Sequence, residues 1–131
     1  MVKGDGYNRA VTATKNVYFG ATWIINLHVW DSRRTPQQRQ IGQFDLRPVL
    51  WPDGHPAPLP WRLCARAVGS TLDFKVWRLN AEAEPAWGDT SHGGSATVPA
   101  KWVKAGKPGA YVGHIPPGGS TTFAGLTTAA L

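Results

Sequence analysis

One stretch constrains the fold more than any other, residues 61–87, WRLCARAVGSTLDFKVWRLNAEAEPAW. Two runs with period-2 patterning flank Gly69-Ser70. Before it, Leu63, Ala65 and Ala67 alternate with Arg62, Cys64 and Arg66; after it, Leu72, Phe74 and Val76 alternate with Asp73 and Lys75. Successive strand side chains point to opposite faces, so each run offers one apolar face and one mostly polar face. A Gly-Ser joint between such runs is a hairpin signal. The pattern predicts antiparallel β structure.

The rest of the chain has to fit around that hairpin. With 131 residues there is room for one domain with a real core and not for two. Eleven Pro and 15 Gly, with few periodic Leu- or Ala-rich stretches, indicate many turns and little helix. Residues 1–15 are polar and without period and read as an extended N-terminal arm, leaving 16–131 as the folded domain. In residues 16–31 Val17, Phe19, Ala21, Trp23, Ile25, Leu27 and Val29 fall on one face, and Tyr18, Thr22, Ile24, Asn26, His28 and Trp30 on the other. Aromatic and β-branched enrichment favours a strand over a helix here, with a bend near Gly20. Residues 32–40 read as a polar loop and 41–51 as a strand. Residues 51–60 form a Pro-rich connection with a Pro-Asp-Gly turn. Residues 89–109 read as a long surface loop carrying one short strand near 97–103, and 110–115 and 120–127 as two more short strands. The count is seven to eight strands in an all-β antiparallel β-sandwich or jelly roll.

Charge and cysteine usage narrow the partners. The formal net charge of +6 is spread through the sequence, its densest groups being Arg33-Arg34 and Lys101, Lys104 and Lys107. That spacing suits first a solvated basic surface, with attraction to anionic glycans, a cell envelope or an acidic partner as the sharper alternative. The single cysteine, Cys64, rules out an intramolecular disulfide framework. Neither a signal-peptide core nor a membrane-length apolar run occurs, so synthesis and folding in a reducing cytoplasm are expected.

Catalytic constellations are missing. Glycoside hydrolysis needs two carboxyl groups across the scissile bond, and the only glutamates, Glu82 and Glu84, share one turn. There is no GxSxG, and the four histidines, His28, His55, His92 and His114, show no HxH or HExxH spacing. No catalytic residue, metal ligand or cofactor is therefore assigned; Asp53 and Asp89 read as turn aspartates rather than calcium ligands. Without an RNP or OB signature, nucleic acid is not an expected partner. The seven tryptophans are more informative. Flat aromatic faces stack on the apolar face of a pyranose, and Trp51, Trp87, His92 and Tyr111 lie in or beside loops where they would serve as glycan contacts. Trp23, Trp61 and Trp77 read as core, and aromatic side chains serve protein interfaces as readily as sugars.

The ordered set Trp61-Arg62-Leu63, Ala65-Arg66-Ala67-Val68-Gly69, Leu72, Lys75-Val76-Trp77, Glu84-Pro85-Ala86-Trp87, Gly109-Ala110-Tyr111-Val112-Gly113 and Thr122-Phe123 resembles the closing half of a concanavalin A-like (LamG-type) jelly-roll domain, as found in actinobacterial and actinobacteriophage proteins. The resemblance covers about residues 59–125. It implies a two-sheet jelly roll in a family that is mostly glycan-binding or structural. The ExDxxE pattern of the family's glucanases is absent, so no activity is implied. Taken with the arm and the missing catalytic groups, the resemblance leads to an expectation. It is a non-enzymatic structural subunit of a bacteriophage particle, a minor tail protein residing in the virion and assembled in the host cytoplasm. Its partners would be other phage structural subunits, further copies of itself in a homo-oligomer, and host-surface glycan. A free-standing carbohydrate-binding module and a capsid-surface decoration protein are the alternatives.

Overall fold

The structure, a computed structural model, describes residues 2–4, 7–16, 22–113, 115–120 and 122–129. The chain is mostly β. Two antiparallel sheets account for nearly all its regular structure. The first has the order β1 (Val2–Gly4), β2 (Tyr7–Lys15), β3 (Ile24–Asp31), β4 (Gln38–Asp45), and the second the order β5 (Trp61–Val68), β6 (Thr71–Arg78), β7 (Gly93–Thr97). A single helical turn, α1 (Arg47–Leu50), and one 3-10 turn, Ala100–Trp102, complete the regular elements.

The predicted hairpin forms as read. β5 and β6 pair without a break from Trp61 opposite Arg78 to Val68 opposite Thr71. The joint places Gly69 at a φ of 55°, a left-handed conformation that glycine adopts without a Cβ clash. Residues 1–15, expected as an arm, supply β1 and β2. β2 pairs along its length with β3, from Arg9 opposite Asp31 to Lys15 opposite Ile25. The polar alternation that made this segment look unstructured is that of a strand with one face outside: Val11 and Ala13 pack on the core, and Thr12 and Thr14 face away.

Three further expectations need correction. β4 begins at Gln38 inside the supposed loop and ends at Asp45, where Pro48 and an Asp45 side chain accepting from the Arg47 N–H turn the chain into α1. The strand placed near 97–103 lies at Gly93–Thr97 instead, because a pair of glycines fits against β6 where larger residues do not. Residues 110–113, 115, 120 and 122–127 carry no regular structure, although their alternation suggested strands. Six strands of five residues or more are present among the described residues, with the three-residue β1 at the edge, rather than seven or eight full strands. The bend proposed at Gly20 lies outside the described residues.

One hydrophobic cluster draws on both sheets. Ile25, Leu27 and Val29 enter it from β3 and Leu72, Phe74 and Val76 from β6; Leu46, Val49 and Leu50 close one end and Val98 another. Burial alternates strictly along β3, so odd-numbered side chains are inside. Phe44 of β4 meets Phe74 edge-on at 5.2 Å between ring centroids. That contact requires Gly94, where an added Cβ would lie 2.3 Å from the Phe44 ring. Gly93 is equally constrained, since its Cβ would fall 2.2 Å from the Phe74 carbonyl oxygen. At the far corner Lys15 Nζ sits 5.1 Å from the centre of the Trp61 ring, tying β2 to β5.

Of β5 only Trp61 packs against the core. Leu63, Ala65 and Ala67 pair with the buried Val76, Phe74 and Leu72 and so share their face. All three are nevertheless exposed, Leu63 at 43 % and its neighbour Val68 at 50 %. Phe74→Ala should therefore lower the free energy of unfolding by about 3–5 kcal/mol, whereas Leu63→Ala should change it by no more than about 0.5 kcal/mol in the isolated chain. Urea titration followed by tryptophan fluorescence measures both, and equal losses would mean that the β5 row is covered in solution.

Candidate functional site

The richest surface is the face of the β1–β4 sheet turned away from the core. Register alone builds it. Ala10, Trp30 and Gln38 form one cross-strand row, Thr12, His28 and Gln40 the next, and Thr14, Asn26 and Gln43 the third. A bulge makes the last two rows possible: Leu27 opposes Gly42 while His28 opposes Gln40, leaving Ile41 as the extra residue. Gln40 and Gln43, three apart, therefore reach the same face, and Ile41 packs inward on the core.

The side chains on this face are tied together. The Trp30 indole donates to the Thr12 hydroxyl at 2.9 Å, and the Thr14 hydroxyl lies 3.4 Å from that of Thr12. Thr14 and the Tyr111 phenol share a hydrogen bond of 2.7 Å. Trp30 takes the His28 ring on one side and the Tyr111 ring on another, at 6.0 and 6.4 Å between centroids, both edge-to-face. Two groups stay unsatisfied: Asn26 Oδ1 and His28 Nδ1 are cut off from solvent and have no hydrogen-bond partner. A buried polar atom without a partner is costly, so such atoms are uncommon in folded proteins. Burial lowers the His28 pKa, so the imidazole is neutral at pH 7 and offers one donor and one acceptor. Three exposed glutamines border the two groups. The surface thus combines half-buried and exposed aromatic rings with amide, hydroxyl and neutral imidazole groups. It has the chemistry for neutral, hydroxyl-rich ligands.

Of the four glycan contacts expected from sequence, Tyr111 alone belongs to this surface, 50 % exposed at its margin. Trp51 lies after α1, half-buried and edge-on to Trp23 at 5.3 Å. Trp87 covers the outer face of the second sheet, where Arg66 stacks 4.3 Å and Lys75 Nζ 4.6 Å from its ring centre. The reason is Lys75 itself, an ammonium on a residue only 4 % exposed. It donates to Glu84 at 2.6 Å and to the Pro85 carbonyl at 2.8 Å, and Trp77 lies on a further side. His92 is held by Asp89, 3.1 Å from its Nδ1, with Glu82 3.8 Å from Nε2. The Ser91 backbone N–H and then His92 keep the Asp89 carboxyl below its usual range. No ring contact or hydrogen bond joins any two of these four residues. His114 lies outside the described residues.

Sequence reasoning passed over Thr12, Thr14, Asn26, His28 and Trp30 as a site. The signal was the even-numbered side of residues 24–30, polar and aromatic where a fully buried strand would be apolar. It lacked a neighbour because residues 1–15 were read as an arm. Among the described residues no group of three or more His, Cys, Asp and Glu stands close enough to hold a metal ion, and no helix is long and apolar enough to cross a membrane. No family model, curated protein or solved structure matches the chain.

Two pH dependences follow. With its folded pKa below the unfolded value, His28 binds a proton more readily in the unfolded chain. Its contribution is therefore complete above the ordinary histidine pKa and is lost as pH falls below it. Proton NMR should place the His28 midpoint below the usual histidine range, and His28→Gln should flatten the acid side of the stability profile. Burial, followed by the Glu84 charge, raises the Cys64 pKa. Alkylation of Cys64 by iodoacetamide should consequently run slower at pH 8 than that of an unhindered thiol, with its midpoint shifted upward.

Proposed function

We propose that this chain is a non-enzymatic β-sandwich subunit of a bacteriophage particle, a minor tail protein of jelly-roll type, which contacts host-surface glycan through the outer face of β2–β4. The observation that carries the glycan assignment is the Trp30–His28–Tyr111 aromatic group set among Thr12, Thr14, Asn26 and the three exposed glutamines. A pyranose stacks on aromatic edges and faces through its C–H groups and satisfies neighbouring amides and imidazole through its hydroxyls. Trp51, Trp87 and His92 have no part in this contact, each being engaged by its own protein partners.

The subunit assignment draws on the resemblance of residues 59–125 to concanavalin A-like phage-type domains and on the uncovered row Leu63, Ala65, Ala67. That row is a finished half of a core, and β5 is the edge of its sheet. Exposed apolar rows beside free strand edges are sites of association in proteins that assemble. Tyr111, Val112, Ile115, Phe123 and Leu126 add further exposed apolar area in the C-terminal segment. A homo-oligomer within the virion accounts for both.

Two measurements test the reading. Light scattering coupled to size exclusion should show an oligomer that Leu63→Asp returns to monomer. On an array of bacterial surface glycans, wild-type protein should bind at least one structure, and Tyr111→Ala and Asn26→Ala should each weaken that binding about tenfold, as expected for losing one good contact. A monomer that binds glycan is a free-standing carbohydrate-binding module. An oligomer without glycan affinity is a decoration protein.

A further inference from the structure

A cleft lies between the β3–β4 connection and the 3-10 turn. It is half open to solvent and offers about 290 Å³, and its lining includes Asp31, Arg34, Gln37, Arg39, Lys101 and Trp102. Its charge is unbalanced. Asp31 is 4 % exposed and is the only carboxylate among the described residues of the lining. It is already engaged, with Arg34 Nε at 3.3 Å, Arg9 Nε at 3.8 Å and the Arg33 N–H at 3.1 Å. Arg39 reaches the cavity from β4, opposite Val29, and Lys101 from the 3-10 turn. Among the described residues of the lining, Arg34, Arg39 and Lys101 stand against Asp31, three cations to one anion.

The cations are placed rather than scattered. Trp102 donates its indole N–H to the Trp30 carbonyl at 3.0 Å, which fixes the ring as one wall. Lys101 Nζ lies 4.0 Å and the Arg9 guanidinium 5.8 Å from the centre of that ring, so the aromatic face gathers positive charge around the opening. Arg9 also donates to the Lys101 carbonyl at 3.4 Å, joining β2 to the turn. The Lys101 ammonium is depressed below the usual lysine range, first by loss of solvent and then by the charge of Arg34, opposed by Asp31 and reinforced by Arg39 and Arg9. Like charges held together around a hollow are relieved by an anion, and guanidinium and ammonium groups recognise oxyanions by charge-assisted hydrogen bonds.

We infer that this cavity binds an oxyanion, a carboxylate or a phosphate group, between Arg39 and Lys101 with Arg34 and the Gln37 amide beside it. The volume suits one small anionic group or an acidic sugar ring, not an extended ligand. This site is separate from the outer face of β2–β4, and it stands or falls independently of the glycan contact proposed there.

The test is a pair of titrations of the full chain at constant ionic strength, one with inorganic phosphate and one with glucuronate, followed by amide chemical shifts in ¹⁵N–¹H spectra. Saturable shifts centred on residues 31–39 and 100–102 are expected with at least one probe, and the tighter arm identifies phosphate or carboxylate as the recognised group. Arg39→Gln and Lys101→Gln should each raise the dissociation constant by about tenfold or more, the loss of one hydrogen bond between charged groups. Both side chains are exposed and neither enters the core, so the variants retain well-dispersed spectra. Arg62→Gln, on β5, should leave affinity unchanged. Shifts that do not saturate with either probe, or saturation unaltered in both cavity variants, would overturn the assignment.

Discussion

Within the core shared by the two sheets, the most constrained contact is an aromatic joint. Phe44 and Phe74 meet edge-to-face from opposite sheets, and the joint closes only because β7 presents backbone in place of a side chain at Gly94. β3 and β6 each contribute three residues to the core cluster around this contact. From it follow the burial of odd positions in β3, the outward direction of the even ones, and so the composition of the polar face. Interiors pack at crystal-like density. A shift of the Phe44 ring would therefore be transmitted to both strands.

Aromatic residues elsewhere are used as partners for cations. Arg47 lies over Trp23, Lys15 over Trp61, Lys101 and Arg9 near Trp102, and Arg66 and Lys75 against Trp87. Lys75 shows the logic most fully. Its ammonium is withdrawn from water, yet two oxygens and two indole rings take the place of the lost hydration. The basic composition is thus partly absorbed into structure. Trp30 instead has His28 and Tyr111 at its edges.

The hairpin was legible from sequence because its information is local. Period-2 alternation, a Gly at the turn and equal arms suffice to specify register. β3 was legible in part for the same reason, but the strand read over residues 16–31 begins only at Ile24, because Thr22 and Trp23 belong to the turn that precedes it. β2 was not, because a half-exposed strand of Asn, Arg, Ala and Thr looks like a polar tail until β3 is known to lie beside it. The C-terminal segment failed in the other direction. Ala110 to Val112 and Phe123 to Leu126 have strand-like residues, but alternation states what a segment would bury and not whether anything is there to bury it. Of the candidate site, Tyr111 was identified as a loop aromatic. His28 and Trp30 were seen on one face without their function, and the threonines and glutamines depended on strand pairing that no single segment encodes. Trp51, Trp87 and His92 are loop residues as read, but their rings and nitrogens are occupied by near neighbours, a property of tertiary packing.

The bulge in β4 has a consequence for how this chain tolerates change in length. On the Gln38 side of Ile41 the even-numbered residues face outward, and on the Asp45 side the odd-numbered ones do. Loss of Ile41 would join two half-strands that already alternate in phase, leaving Gln38, Gln40 and Gln43 outside and Phe44 inside at the price of one apolar contact. Loss of Gln43 or Phe44 has no such escape, since the phase error then falls on the aromatic joint. Ile41 is therefore a spare residue in a strand whose other members are each committed to a face, and variation in strand length has one place to occur.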